Sequence, residues 1–337
     1  MKFTRHLFLL VAVLGPSLAL AQFTDPQPLQ RARDEYMAML FSRSYDRLDE
    51  AARQAREKSL TTSDGQPLLG AIYTGAAGCA CGNQLTRELW RLRKERLLEW
   101  RKRNPSSVTP QLALAMYPLA YGWFERGGGY GNTVNGEAMQ AFAAGAEESR
   151  LALLALDAEA KADPGWFSAM LDVALAQGWS HQDFDALYQQ AIAKYPEYIP
   201  FHFAGANYHS PRWYGSEEEI QRFVDQATTL THERLGETLY ARMNWLMASD
   251  EMFRTRQVEW KRMKAGFERM TKDYPDAWNV NNFAHFACMA GDMATVRSLL
   301  VTIGDKPIAK AWWNGLDYYA ACRRYAESAS ASEPTPK

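Results

Sequence analysis

The sequence predicts an all-α protein, built as a tetratricopeptide-like α-solenoid in which antiparallel helix pairs stack on one another. Three observations lead to this prediction. Apolar residues recur at helical spacing along most of the chain, the period-two alternation of β-strands is nearly absent, and prolines return at a nearly constant interval. The alternative is an irregular helical bundle in which that interval is accidental.

The first element along the chain is a predicted secretory signal peptide over residues 1–21. Lys2 and Arg5 precede an apolar run from Leu7 to Leu14, and Ala19-Leu20-Ala21 supplies the small residues of a cleavage site. The run is too short to span a bilayer, so we expect no membrane span in the mature chain. These features predict cleavage after Ala21 and a periplasmic or secreted protein.

The charge balance gives no reason to expect a nucleic acid or an anionic membrane as partner. The sequence has 38 basic and 39 acidic residues, a net charge of −1. Loss of Lys2 and Arg5 with the signal peptide, and of no acidic residue, would change the net charge to −3. Such a chain lacks the electrostatic attraction on which those partners depend, and we expect a protein or peptide instead.

Residues 22–110 are predicted to form an N-terminal helical region and residues 111–326 the repeat array. In the array, Pro164 and Pro196 are 32 residues apart, as are Pro275 and Pro307. This spacing is close to the roughly 34-residue tetratricopeptide period. The tail 327–337 consists mostly of small polar residues and prolines, and we expect it to be disordered.

Each of the two intervals has the same internal layout. An aromatic residue follows the proline, and a glycine separates two predicted helices, with Trp166 and Gly178 in the first interval and Trp278 and Gly291 in the second. One such helix pair cannot bury both of its apolar faces, so neighbouring pairs are expected to stack.

Several motifs resemble those of a family of bacterial envelope proteins that is known only as a domain of unknown function. They are Asn104-Pro105-Ser106-Ser107 after Trp100, the predicted helix 111–125 that ends in Arg126-Gly127, Asp163-Pro164 before Trp166-Phe167, and Pro211-Arg212-Trp213-Tyr214-Gly215-Ser216. The last is the most specific. The resemblance implies a helical-repeat fold and no known activity, and it carries over no catalytic residue.

The last of these motifs has a local structural explanation for most of its residues. Gly215 is predicted to allow a tight turn through an unusual backbone angle, and Ser216 with Glu219 forms a capping box at the next helix. Arg212 and Trp213 are left over, and both are residue types enriched at binding hot spots. They either bind a partner, or Trp213 packs between repeats while Arg212 supports a carbonyl or an acid.

The glycine-rich segment 126–132 lacks the Lys-Ser/Thr pair and the preceding strand of a phosphate-binding loop. Gly127 is expected to end a helix with Arg126 in its last turn. A flexible loop that carries Tyr130 could still cover a ligand, so Arg126 and Tyr130 are candidate binding residues.

His202 and His209 are seven residues apart and could share one helix face, as binding residues or as packing residues. The histidines and cysteines do not show zinc-site spacing, and we expect no metal and no other cofactor. Motifs of the Gly-x-Ser-x-Gly type are missing as well, so we assign no catalytic residue.

The four cysteines of an exported chain are expected to be oxidised, and they allow three pairings. Cys79 and Cys81, which are flanked by glycines, could bond each other or pair at longer range. Cys288 and Cys322 are 34 residues apart, nearly one repeat. Equivalent positions on successive first helices of an array face each other, so we expect these two Cα atoms within about 7 Å.

The sequence favours a binding protein over an enzyme. The leading hypothesis is a periplasmic helical-repeat protein that holds a protein or peptide on a concave face. One alternative is a hydrolase-like enzyme of unrecognised type, with a site near His209, Arg212 and the Gly128 loop. The other is an immunity or inhibitor protein for a secreted toxin, which differs from the leading hypothesis only in its partner.

Overall fold

The computed structural model describes residues 27–78, 86–129, 133–256, 258–313 and 315–331. This part of the chain contains seventeen α-helices and no β-strand, which confirms the predicted all-α class. None of its helices is both long and apolar enough to cross a bilayer. The predicted signal peptide, Cys79, Cys81 and Tyr130 lie outside the described residues.

The first six helices belong to the N-terminal half of the chain. They are α1 Pro28–Phe41, α2 Tyr45–Lys58, α3 Leu68–Ala77, α4 Arg87–Arg103, α5 Val108–Arg126 and α6 Gly136–Leu154. The next six are α7 Ala158–Ala162, α8 Pro164–Gln177, α9 His181–Lys194, α10 Ile199–Tyr208, α11 Glu217–Leu235 and α12 Thr238–Leu246.

The last five helices are α13 Met252–Thr255, α14 Trp260–Asp273, α15 Ala277–Met289, α16 Met293–Ile303 and α17 Gly315–Ala331. A 3₁₀ turn, Ala309–Ala311, lies between α16 and α17. The final helix therefore continues five residues into the segment predicted to be a disordered tail. Residues 332–337 lie outside the described part.

The two predicted helix pairs lie where the prolines place them. In the first, Asp163 caps α8 by accepting a hydrogen bond from the Gly165 N–H, and Pro164 occupies the first helical position. Gly178, with a φ of 64°, ends α8 in the left-handed conformation, and Ser180 caps α9.

The second pair is built in the same way. Asp276 caps α15 through the Trp278 N–H, Gly291 follows the helix with a φ of 77°, and Asp292 caps α16. The repeat then changes, because Pro307 leads into the 3₁₀ turn and a loop rather than directly into an α-helix.

The α5–α6 pair packs closely because small residues line its contact. A β-carbon at Gly145 would overlap the carbonyl oxygen of Pro118, and one at Gly122 would lie 3.2 Å from the Phe142 backbone. The Ser149 hydroxyl accepts the Leu119 N–H at 2.9 Å, beside the helix-interior proline. This pair forms the platform on which α8 rests.

Most helices pack against helices one or two positions away along the chain, as stacked pairs do. The loop between α2 and α3 is different. Arg242 on α12 and Asn279 on α15 both donate hydrogen bonds to the backbone carbonyl of Asp64, across 178 and 215 residues of sequence. The helices therefore curl until an early loop contacts late helices, which a straight stack of pairs would not allow.

Cys288 and Cys322 form a disulfide that joins α15 to α17, with the two Cα atoms 6.0 Å apart as predicted. The two positions are not equivalent within their helices, because Cys288 is the twelfth of 13 residues and Cys322 the eighth of 17. The loop before α17 shifts that helix along its neighbour. The pairing is therefore as predicted, while the repeat register is not.

Candidate functional site

A groove of about 450 Å³ lies between α9 and α11. Both helices pack on α10. They contact each other directly where the Tyr188 and Phe223 rings lie 5.1 Å apart and where His181 faces Glu219, and the groove lies above these contacts. One face of each helix lines the groove, and His209, just after α10, lines it as well. The lining residues of α9 are His181, Asp185, Tyr188, Gln189 and Ile192. Those of α11 are Glu219, Arg222, Phe223, Gln226, Ala227 and Leu230. The lining extends over twelve residues of each helix, from His181 to Ile192 and from Glu219 to Leu230. Eleven steps of about 1.5 Å give a groove about 16 Å long.

One end of the groove is polar, and it lies at the N-termini of both helices. The Nε2 atom of His209 lies 3.0 Å from a carboxylate oxygen of Asp185, and Nδ1 of His181 lies 3.8 Å from one of Glu219. The carbonyl oxygen of Tyr214 is 2.9 Å from Nε2 of His181. Each histidine of this end therefore faces a carboxylate.

His209 is held tightly at this end. Its ring stacks on Phe223 with the centroids 5.1 Å apart, and the residue is 8% exposed. Burial lowers the pKa of His209, while the nearby Asp185 carboxylate acts in the opposite direction. The imidazole is therefore neutral at pH 7, and the charge of Asp185 is not cancelled by an imidazolium.

The opposite end of the groove is apolar. Ile192 and Ala227 are buried and form the floor at this end, and Phe223 continues the floor towards His209. Leu230 is 52% exposed at the rim. An exposed leucine beside a buried apolar floor is a surface on which an apolar side chain of a ligand can be buried.

Between the two ends, Gln189, Arg222 and Gln226 are exposed. Within the described part of the chain, neither glutamine amide has a hydrogen-bond partner. A primary amide both donates and accepts hydrogen bonds, which matches the alternating groups of a peptide backbone. The middle of the groove thus has free polar groups that a peptide ligand can use.

The predicted binding residue His202 is a packing residue. It is completely buried, with Nδ1 2.8 Å from the Tyr188 hydroxyl and Nε2 2.7 Å from the carbonyl oxygen of Pro196. Burial lowers its pKa. His202 and His209 both face α9, as the seven-residue spacing suggests, but only His209 lines the groove.

Arg126 and Trp213 meet away from the groove. The Arg126 guanidinium lies 5.1 Å from the Trp123 ring centroid, and Trp213 packs edge-on against the same ring at 5.8 Å. Arg126 also donates to the carbonyl oxygens of Gly127 and Gly129. The two motifs that resemble the envelope-protein family therefore contact each other through Trp123. Arg212 is exposed and is not among the described residues that line the groove.

Gly215 is needed for a reason other than the predicted one. Its φ is not in the left-handed region, so the prediction of an unusual backbone angle is wrong. A β-carbon there would overlap the carbonyl oxygen of His209, and only glycine allows this approach. Ser216 does cap α11 by accepting the Glu219 N–H at 3.2 Å, while the Glu219 carboxylate faces His181.

The described lining provides a proton acceptor, His209, but no hydroxyl of serine or threonine and no thiol for it to activate. Serine, threonine, cysteine and lysine do not occur among the described residues that line the groove. Across the described ranges, no three His, Cys, Asp or Glu side chains are placed to hold a metal ion. The sequence suggested an enzyme site near His209, Arg212 and the Gly128 loop. Among the described residues that line the groove, His209 is present and the other two are not.

Sequence reasoning missed Asp185, Gln189 and Arg222. The available signal was the exposed stripe that each of α9 and α11 carries at three- and four-residue spacing. That stripe is identical to an ordinary solvated face until the gap between the two helices is known.

Comparison with known proteins places the chain in no family. No family model matches the sequence, and no curated protein or solved structure matches it, so the resemblance to the envelope-protein family rests on the motifs named above.

Proposed function

We propose that this chain is a periplasmic peptide-binding protein whose α9–α11 groove holds an extended segment of a partner protein. The observation that carries the proposal is the open groove itself, with an apolar floor and two glutamine amides that have no partner within the described chain. Stacked helical repeats often bind peptides along such surfaces. The signal-like residues 1–21 support the periplasmic location.

The dimensions of the groove favour an extended ligand. An extended chain advances about 3.3 Å per residue, so about five residues span the 16 Å groove. The glutamine amides would pair with the ligand backbone, and the apolar end would bury one side chain. A hydrolase of the serine or cysteine type is less well supported, because no serine, threonine or cysteine is among the described residues that line the groove beside the His209–Asp185 pair.

The proposal can be tested with a phage-displayed library of random heptapeptides selected on the immobilised protein. Leu230→Ser removes the apolar rim of the groove. Leu151→Ser is the matched control, because Leu151 on α6 is 53% exposed against 52% for Leu230 and does not line the groove.

We expect the selected peptides to bind at least tenfold more weakly to the Leu230→Ser variant and with unchanged affinity to the Leu151→Ser variant. If no peptide is enriched, or if the enriched peptides bind both variants as well as the unaltered protein, the proposal is wrong.

A further inference from the structure

We infer that the groove selects peptides by a basic residue at its polar end and an apolar residue at its other end. Its partners would then carry Lys or Arg about four positions from a Leu, Ile, Val, Met or Phe. The inference rests on the proposed function and adds the chemical class of the segment that is bound.

The polar end of the groove is negatively charged. Asp185 and Glu219 have side-chain exposures of 49% and 30%, and each lies beside a histidine, His209 and His181 respectively. Within the described part of the chain, no Lys or Arg nitrogen lies within 4 Å of either carboxylate. Two accessible negative charges thus face the groove without a fixed cation beside them.

The helix termini do not cancel this charge. The N-termini of α9 and α11 each carry about half a positive charge, which together offsets about one carboxylate. Asp183 and Glu218 add two more exposed carboxylates in the same first turns. Arg222 lies one turn further along α11, towards the middle of the groove. The polar end therefore attracts a cation.

A bound Lys or Arg would make charge-assisted hydrogen bonds with these carboxylates, which are roughly twice as strong as neutral ones. An acidic side chain in the same place would face like charges. The polar end thus discriminates between partners by repulsion as well as by attraction.

The spacing follows from the helix geometry. Asp185 and Ile192 are seven residues apart on α9, about 10 Å, and Glu219 and Leu230 are eleven apart on α11, about 16 Å. An extended peptide covers these distances in about three to five residues. A basic and an apolar side chain four positions apart therefore reach both ends together.

The test uses three capped, fluorescein-labelled heptapeptides of Gly and Ser that differ in two positions. The first has Lys and Leu four positions apart, the second has Glu in place of Lys, and the third has Lys and Leu adjacent. Fluorescence anisotropy gives the dissociation constants for the unaltered protein, for Asp185→Asn/Glu219→Gln, and for the control Glu148→Gln, whose exposed carboxylate lies on α6.

We expect the unaltered protein and the Glu148→Gln variant to bind the first peptide at least tenfold more tightly than either of the others. In Asp185→Asn/Glu219→Gln the preference for Lys over Glu should fall below threefold. Replacement of both carboxylates by lysine should reverse it, a result that damage to the fold could not produce.

Two other results would have different meanings. If peptides bind with Leu230-dependent affinity but without a preference for Lys, or if the preference survives in Asp185→Asn/Glu219→Gln, the inference is wrong and the proposed function stands. If no peptide, including those from the random library, shows Leu230-dependent binding, both are wrong.

Discussion

Gly215 approaches His209 so closely that a β-carbon on the glycine would overlap the carbonyl oxygen of the histidine. The loop 210–216 is thereby folded back on the end of α10, and the same turn delivers the Tyr214 carbonyl to His181. The shape of the polar end of the groove thus depends on one missing side chain.

Gly215→Ala should lower the free energy of unfolding by about 2–3 kcal/mol, because the overlap is with backbone and can be relieved only by moving the turn. Urea denaturation measures this. Gly136→Ala is the control, since no atom lies within 4 Å of a β-carbon there and the residue begins α6. The explanation fails if the two variants are equally stable.

Loss of the disulfide should loosen the C-terminal helix. Replacing both Cys288 and Cys322 by serine removes a link across 34 residues, which in the chain-entropy model costs about 3–4 kcal/mol. Hydrogen exchange should show the loss of protection concentrated in α17, which packs mainly on α16 and the 3₁₀ turn. Unchanged exchange in α17 would mean that its packing holds it without the bond.

His285 should make the fold sensitive to acid. The residue is 1% exposed, its Nδ1 lies 2.8 Å from the Ala311 carbonyl oxygen, and its ring stacks on Trp312. Burial lowers the pKa of His285 to about 4, and the hydrogen bond to Ala311 only partly opposes this. The unfolded chain, with a histidine pKa of about 6.5, therefore binds the proton more readily than the folded protein does.

The stability that follows from this shift is complete above pH 6.5 and is lost as the pH falls towards 4, a change on the order of 3 kcal/mol. In His285→Gln, the free energy of unfolding should fall less between pH 7 and pH 4, by about that amount. Denaturant titrations at both pH values provide the measurement. Parallel losses in the two proteins would show that other groups cause the acid sensitivity.

Arg242→Ala should destabilise the contact between the early loop and the late helices. The arginine is 3% exposed, and burial lowers its pKa to about 10, so it remains charged at pH 7. Removing it leaves the Asp64 carbonyl with a weaker set of donors and opens a cavity, at a cost of about 3 kcal/mol.

The control for Arg242→Ala is Arg53→Ala, whose 53% exposed side chain pairs with Glu50 and Glu57 on the surface of α2. Exposed pairs of this kind contribute less than about 1 kcal/mol. Equal effects of the two substitutions on the urea midpoint would contradict a structural role for the Arg242–Asp64 contact.

Local features of this fold could be predicted from sequence, and features that depend on distant segments could not. Asp163, Pro164 and Gly178 act within one turn of their own helix, so their pattern gives the bounds of α8 directly. The Cys288–Cys322 pairing could be predicted because it requires only that helices of successive repeats lie side by side. The predicted repeat register, in which Cys288 and Cys322 occupy equivalent helix positions, was wrong. The 3₁₀ turn and loop before α17 shift that helix relative to α15.

The groove depends on segments that are distant in sequence, so it could not be predicted. Asp185 and Glu219 look like ordinary helix-start carboxylates in sequence, where they favour the positive end of a helix. Their placement in one groove depends on how α9 and α11 both pack on α10, which nothing near either residue in the sequence indicates. The contact of Asp64 with Arg242 is equally invisible, because nothing local to either residue indicates the other.

The early loop also has a consequence for biosynthesis. A ribosome adds about 5–20 residues per second, so the Asp64 carbonyl is made roughly 10–35 s before Arg242 follows it. Through that interval the Asp64 carbonyl lacks the two side-chain donors that it has in the folded protein. A chain cut short before α12 would lack both Arg242 and Asn279, so the Asp64 carbonyl could never receive the two hydrogen bonds that it accepts in the folded protein.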